Sequence, residues 1–198
     1  IQENKVIYSI HIISKKSNKI SDSIVSSYID LKKKINIENK IEKLIVCTGP
    51  GSYTALRVGI SFMYGLSLSL KKKLLGIGCA DLLHQTILKS EQKKTIFFIC
   101  SSNNQFFYCK FLDNNKLSIQ KFDKELYLEK NKVTEYTNCV SNSILPSDIR
   151  TLLDFKSIKV AEFANIISLN TKKISSLCQK NVIEPIYISN NNPSGKII

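Results

Sequence analysis

A glycine-rich turn followed by a single cation is the part of this sequence best suited to bind an anion. Its small and polar residues and its cation are Gly49, Pro50, Gly51, Ser52, Thr54 and Arg57. The free backbone amides of such a turn, placed before a helix, suit a phosphate. A second interpretation needs no ligand, because glycine permits the tight turn and Ser52 or Thr54 can cap the helix. The segment therefore predicts either an anion site or a structural turn.

Two common nucleotide-binding motifs do not fit this turn. It lacks the Gly-Lys-Ser/Thr of a P-loop, and Thr54 stands where dinucleotide-binding proteins have their third glycine. A magnesium-bound triphosphate also needs carboxylates, and the nearest acids in sequence, Glu42 and Asp81, lie well outside the turn. We therefore expect chiefly a structural turn and no resident cofactor, with any ATP or ADP bound weakly or shared at a partner interface.

Histidine and cysteine, the other residues suited to catalysis, are scattered along the sequence. The chain has 2 histidines, His11 and His84, and 6 cysteines without a Cys-x-x-Cys pair. This spacing predicts neither a metal site nor a disulfide framework. Ser52 has no histidine nearby in sequence to act as its base, so we expect a helix cap instead of a nucleophile. The sequence predicts no catalytic residue and no metal site.

The segments that position the turn have the patterns of an α/β protein. Residues 44–47 form an apolar run typical of a buried strand. Apolar residues recur at helical spacing in 20–35 and again from 54 to about 70. Further predicted elements are a strand over 5–14, a strand over 74–78 and a helix over 80–88 that Asp81 helps to start. The order is β-α-β-α-β-α.

The second half of the chain is predicted to be rich in strands. The predicted strands are 95–100, 105–112 and 116–122, with Asp113, Asn114 and Asn115 as a hairpin turn. A helix is predicted over 160–169, and a short strand near residue 185 before a polar tail. We therefore predict two units, an N-terminal lobe over 1–90 and a strand-rich C-terminal lobe over 91–198.

Composition and charge indicate a globular, basic protein. Hydrophobic residues make up 43% of the chain, and the formal net charge is +13 from 29 Lys and Arg against 16 Asp and Glu. No apolar run is long enough to cross a membrane, so we expect a soluble, cytoplasmic protein. The positive charge permits a polyanionic partner but does not identify one, because lysine runs are usually solvated faces.

The stretch GPGSYTALRVGISFMYGLSLSLKKKLLGIGCADLL closely resembles the TsaB/YeaZ family, the actin-like partner proteins of bacterial tRNA threonylcarbamoyladenosine synthesis. The matching residues are Gly49, Pro50, Gly51, Ser52, Tyr53, Thr54, Leu56, Arg57, Gly59, Gly65, Leu66 and Gly76. The resemblance covers about 44–90 and extends weakly to the tail IEPIYISNN. It implies an α/β, actin-like (ribonuclease H-like) fold, with an N-terminal mixed sheet flanked by helices and a smaller second lobe.

The resemblance also implies a function without intrinsic catalysis. The chain would be a scaffold subunit that binds a catalytic, TsaD-like threonylcarbamoyltransferase paralogue, together with a TsaE-like ATPase subunit and, indirectly, tRNA; alone it could form a homodimer. Small residues on the helix after the turn would let another helix approach closely. The predicted partner-binding residues are Tyr53, Ala55, Gly59, Phe62, Met63, Ile24 and Tyr28.

The sequence departs from the family pattern at two places. Family members open with a strand ending in Asp-Thr-Ser/Ala, and here that strand would precede or overlap Ile1. The family's Asp-Ala-Arg before a strand is replaced within the stretch CSSNNQFFY, at 100–108. Two alternative functions stay open: an independent nucleotide-binding actin-like ATPase, which the missing acidic residues disfavour, and a tRNA-binding module that works through its lysines.

Overall fold

The computed structural model describes residues 20–35, 41–101, 105–111, 117–123, 136–153, 155–161 and 183–188, together with 163, 166, 174 and 176–178. The elements in these ranges are α1 (Ile20–Lys34), β1 (Lys43–Gly49), α2 (Tyr53–Leu70), β2 (Lys73–Gly78), α3 (Cys79–His84), a 3-10 helix (Lys89–Lys94), β3 (Thr95–Cys100), β4 (Phe106–Phe111), β5 (Leu117–Lys121), β6 (Asn138–Ser141), α4 (Ser147–Leu153) and β7 (Ser157–Val160). The strand predicted over 5–14 and the turn at 113–115 lie outside the described residues.

The described strands form a parallel pair and a mixed five-stranded sheet. In the pair, β1 runs parallel to β2 with Lys43 opposite Lys73. The larger sheet has the order β5-β4-β3-β6-β7. Its β3-β4 and β4-β5 pairings are antiparallel, whereas β3-β6 and β6-β7 are parallel. A mixed sheet flanked by helices is thus confirmed, but its described strands lie within 95–160 and not in the N-terminal lobe, where the resemblance had placed it.

Strand β3 is the centre of the larger sheet and is covered on both faces. Because side chains alternate along a strand, Phe97 and Ile99 face one hydrophobic cluster, and Ile96 and Phe98 face another. Leu83 of α3 packs in the first cluster. The second cluster contains Ile149 and Leu153 of α4. A run of apolar residues without alternation is therefore what this strand requires.

Helix α2 packs against the smaller sheet. A third cluster joins Leu44 and Val46 of β1 with Ile60 of α2, and half-buried Met63 and Leu66 pack against it. Ile60 is the buried residue of α2, whose other sides carry the surfaces described below. The apolar stripe predicted for this helix thus rests on the β1-β2 pair.

Several predicted elements differ from the structure. Helix α3 ends at His84 instead of Leu88, and a turn and the 3-10 helix follow it. The helix predicted over 160–169 is wrong at Val160. This residue ends strand β7, Ser157–Val160, in which apolar and polar residues alternate. The sequence reading also missed β6 and α4.

The tail also differs from prediction, whereas the end of α2 does not. Residues 183–188 are not assigned as a strand, although Ile186 N–H donates to the Thr48 carbonyl oxygen at 2.7 Å. Helix α2 ends at Leu70 as predicted, and Lys71 is its C-cap, in the left-handed conformation with φ 52°. The division into lobes at residue 90 stays a prediction.

Candidate functional site

Gly49 is the residue that the turn requires to be glycine. Its φ is +106°, which side chains rarely adopt, and an added Cβ would lie 2.9 Å from Leu56 Cδ1 and 3.2 Å from the Ile186 carbonyl oxygen. Gly51 is different, because its added Cβ would meet Leu56 at an ordinary contact distance of 3.8 Å. The two glycines of the motif therefore have unequal structural roles.

Ser52 is the N-cap of α2. The Ala55 N–H donates to Ser52 Oγ at 3.5 Å, and the Leu56 N–H donates to the Ser52 carbonyl oxygen at 2.9 Å. Thr54 is exposed within the first turn. The structure thus assigns to Ser52 the capping role that the sequence left open between the two residues.

Arg57 contacts two tyrosines. Its Nε donates to the Tyr187 hydroxyl at 3.0 Å, and its guanidinium carbon lies 4.1 Å from the centroid of the Tyr53 ring. The two tyrosine rings are 4.6 Å apart between centroids. The hydrogen bond to Tyr187 is the main cause that raises the pKa of Arg57. Arg57 thus links the start of α2 to the tail. Tyr53, a predicted partner-binding residue, contacts Tyr187 of the tail.

Asp81 lies at the same edge of the sheet as the turn, although it is distant in sequence. Since β1 and β2 are parallel, the residues after both strands meet at one edge. Cys79 Sγ lies 3.7 Å from the Pro50 carbonyl oxygen. Burial raises the pKa of Asp81, while a hydrogen bond from the Gly78 N–H opposes this shift. The separation of Asp81 from the turn in sequence therefore did not predict that the two lie at the same edge of the sheet.

A groove separates α1 from α2. Its volume is about 300 Å³, and its lining residues are Ile24, Ser27, Tyr28, Leu31, Ile41, Leu44, Phe62, Met63 and Leu66. Tyr28 and Phe62 meet edge to face, with 5.7 Å between ring centroids. The structure therefore brings four of the predicted partner-binding residues together: Ile24, Tyr28, Phe62 and Met63.

Ala55 and Gly59 lie on the same side of α2 as this groove. At about 100° per residue, Ala55, Phe62, Met63 and Leu66 all fall within roughly 60° of Gly59 around the helix. An added Cβ at Gly59 would have nothing within 4 Å, so the space beside it is open.

Exposed apolar side chains on α1 extend this surface. Val25 is 50% exposed and Ile29 is 45% exposed, one helical turn apart. Residues 20–35 were predicted as a helix with one apolar face, and Val25 and Ile29 were not assigned to that face. Val25 directly follows Ile24 and Ile29 directly follows Tyr28, and these positions were the available signal.

The described residues contain neither a metal-binding cluster nor a membrane-spanning helix. No group of three or more His, Cys, Asp or Glu side chains in this part of the chain could hold a metal ion. No helix there is long and apolar enough to cross a membrane.

Comparison with known proteins defines the class. Residues 12–189 match the family model described as TsaD, tRNA N6-adenosine threonylcarbamoyltransferase. YeaZ from Pseudomonas aeruginosa has a TM-score of 0.56 at 12% identity, covering 85% of each chain. A protein from the same organism described as similar to peptidase YEAZ also scores 0.56 at 12% identity, covering 84% of this chain and 83% of that one. The chain is thus an α/β protein of actin-like fold.

Curated relatives specify the family further. A protein from Buchnera aphidicola subsp. Schizaphis graminum, named tRNA threonylcarbamoyladenosine biosynthesis protein TsaB, is 26% identical over 195 residues, 98% of this chain and 89% of the relative. The protein of the same name from Buchnera aphidicola subsp. Acyrthosiphon pisum is 30% identical over 129 residues, 64% of this chain and 58% of the relative. The chain belongs to the TsaB/YeaZ family.

Proposed function

We propose that this chain is a non-catalytic subunit of the machinery that makes threonylcarbamoyladenosine in tRNA, and that it binds a catalytic paralogue of the TsaD type. The names of the two Buchnera relatives support the process. The match to a TsaD family model supports a common fold for the two subunits. A TsaE-like ATPase and tRNA would join through the catalytic subunit.

The apolar surface of α1 and α2 is the observation that carries the proposed contact. Val25 and Ile29 are about half exposed, and the groove between the helices is lined by apolar side chains. Fully burying an aliphatic side chain is worth about 1.5–3 kcal/mol, so the remaining exposure of each residue leaves roughly 1 kcal/mol to be gained. Apolar patches of this kind mark interaction sites. The open space beside Gly59 would admit a helix of the partner at close range.

Gly59→Arg tests this surface. We expect it to weaken binding to the TsaD-type protein of the same organism at least ~100-fold, about 2.7 kcal/mol, because a charged side chain would have to be buried at a close helix contact. The measurement is a dissociation constant from titration calorimetry with both purified proteins.

Gly65→Arg is the matched control. Gly65 lies in the same helix and also has nothing within 4 Å of an added Cβ, so both variants are expected to fold. Six residues rotate the helix by about 600°, which places Gly65 roughly 120° away from Gly59. Equal binding by the two variants would contradict the proposed surface. Met63 is unsuitable as a probe, because it packs against the core and a charge there would disturb folding.

A second copy of this chain is the competing occupant of the same face. Size-exclusion chromatography with light scattering measures the mass of the isolated chain and of its mixture with the TsaD-type protein. We expect any homodimer to be replaced by a heterodimer in the mixture. A homodimer that persists beside excess partner would refute the proposal.

We also propose that the turn does not bind ATP or ADP tightly by itself. The Ser52 side chain caps α2, and the Arg57 side chain bonds to Tyr187. Asp81, the acid at this edge of the sheet, is partly desolvated and already accepts a hydrogen bond from the Gly78 N–H. Calorimetry should give an ATP dissociation constant no tighter than about millimolar, ~4 kcal/mol. Micromolar binding that Ser52→Ala or Arg57→Ala abolishes would favour the independent ATPase instead.

A further inference from the structure

Two cysteine sulfur atoms are in contact beside the turn. The Sγ of Cys47, in β1, lies 3.1 Å from the Sγ of Cys79, the first residue of α3, although the two residues are 32 apart in sequence. They meet because β1 and β2 are parallel neighbours and α3 follows directly after β2. The contact is therefore set by the fold.

Hydrogen bonds at this pair favour a thiolate on Cys47. The Cys79 thiol is the largest cause of the lowered pKa of Cys47, and the Gly49 N–H acts in the same direction. Burial and the charge of Asp81 oppose these two effects. The same contact with Cys47, followed by burial, raises the pKa of Cys79. Cys47 is thus the nucleophile of the pair, and the Cys79 thiol is its hydrogen-bond donor.

The two cysteine residues also differ in exposure. Cys47 is half-buried, whereas Cys79 is only 5% exposed. A small oxidant can therefore approach Cys47, while Cys79 is placed behind it to react with the oxidised sulfur. A reactive thiol beside a second, resolving thiol is the arrangement of redox-sensitive cysteines.

The other cysteines lack a lowered pKa. Burial raises the pKa of Cys109 and raises that of Cys139 to about 12. Burial is also the main cause of the raised pKa values of Cys100 and Cys178. A peroxide should therefore react at Cys47 before it reacts at these thiols.

We propose that Cys47 and Cys79 form a redox-active pair that hydrogen peroxide converts to an intramolecular disulfide. The Cys47 thiolate attacks one peroxide oxygen, the O–O bond breaks, and hydroxide leaves, so that Cys47 becomes a sulfenic acid. The hydroxide takes the proton of Cys79, and the resulting thiolate attacks the Cys47 sulfur. The second hydroxide leaves and takes up the proton first released by Cys47. Two thiols and one peroxide thus become one disulfide and two waters.

The structure favours the second step over further oxidation. The two sulfur atoms need to approach by only about 1 Å to reach the length of a disulfide bond. The bond would tie the end of β1 to the start of α3, directly beside the Gly49 turn that leads into α2. A dithiol such as dithiothreitol would reverse it by thiol-disulfide exchange. The proposal concerns sulfur chemistry alone and does not depend on the proposed partner.

Peptide mapping of the full chain tests the pair. The protein is treated with hydrogen peroxide, its remaining thiols are alkylated, and the digest is analysed by mass spectrometry. We expect a linked peptide that contains Cys47 and Cys79, and its loss after dithiothreitol. Cys100→Ser is the matched control, because Cys100 is also half-buried and should leave the linked peptide unchanged.

Cys79→Ser separates the two chemical steps. Without the resolving thiol, Cys47 should stop at the sulfenic acid and be labelled by dimedone, whereas wild-type protein should show little label at the same peroxide dose. Circular dichroism checks that the variant is folded, and the wild-type peptide map decides the matter if it is not. Sulfinic acid at Cys47 without a linked peptide, or a disulfide joining different cysteines or two chains, would overturn the proposal.

Discussion

Gly49→Ala should destabilise the protein strongly, whereas the same substitution two residues later should not. A side chain at φ +106° is strained, and such conformations cost about 1–3 kcal/mol. The added Cβ would also lie 2.9 Å from Leu56 Cδ1 and 3.2 Å from the Ile186 carbonyl oxygen. The leucine methyl can rotate away, but the backbone oxygen requires a shift of the tail. Overpacking typically costs 1–3 kcal/mol, and because the Leu56 methyl can move it should be near the lower end here, so we expect a total loss of about 2–4 kcal/mol.

Urea unfolding of the two alanine variants measures this difference. Gly51→Ala introduces a Cβ at 3.8 Å from Leu56, an ordinary contact. It should change the free energy of unfolding between zero and a gain of about 1 kcal/mol, because it restricts the unfolded chain. For a domain of this size Gly49→Ala should also lower Tm by about 4–16 °C.

Equal unfolding free energies for the two variants would refute the reasoning. They would mean that the left-handed conformation of Gly49 and its contact with the tail do not matter to stability. A loss at Gly51 equal to that at Gly49 would point instead to a requirement shared by the whole motif, such as access to a ligand.

Three further predictions concern the core and one buried acid. Leu83→Ala should cost about 2–5 kcal/mol in urea unfolding, because Leu83 is 0% exposed, while Leu88→Ala, at 68% exposure, should cost under ~0.5 kcal/mol; similar losses would contradict the assignment of the core. Thr48→Val should raise the unfolding free energy by about 1 kcal/mol, because its buried hydroxyl has no hydrogen-bond partner among the described residues; a loss would show that the hydroxyl is bonded. Burial raises the pKa of Asp81 above 3.8, so its contribution to stability falls as the pH rises through 3.8 towards the folded pKa. Asp81→Asn should therefore become more stable relative to wild type from acidic to neutral pH, and a difference independent of pH would exclude this effect.

The strongest patterns in the sequence predicted the strands and helices that bury the most apolar surface. Helix α2 begins at Tyr53 and ends at Leu70, within one residue of its prediction. Strand β3 has the predicted bounds, because a central strand covered on both faces needs a run of apolar residues. Long or fully buried elements carry their own signal in this way.

The missed elements depend on partners that are distant in sequence. Strand β6 is only 4 residues long and β7 is equally short. They form because β6 lies beside β3, with Asn138 opposite Thr95, and β7 lies beside β6. Short strands with polar residues have little periodicity, so pairing with an existing sheet decides their structure.

The sequence predicted which residues form the candidate site but not which residues they contact. Ser52 was foreseen as a cap because that rule is local. Arg57 meets Tyr187 across 130 residues, and Cys47 meets Cys79 across 32. Both contacts follow from the parallel β1-α2-β2 arrangement and from the tail beside it, which no local pattern reveals.

The two sides of α2 have different neighbours, and this supports the choice of docking surface. On one side the tail is attached by Arg57 to Tyr187 and by the Ile183 N–H, which donates to the Tyr64 hydroxyl at 3.2 Å. On the other side Gly59 faces open space and Phe62 meets only the edge of Tyr28 among the ring contacts of the described residues. Because the tail occupies the first side, we propose that a partner helix approaches α2 on the side of Gly59, where the space is open. The choice of the proposed interface therefore follows from which side of α2 the tail of the chain already contacts.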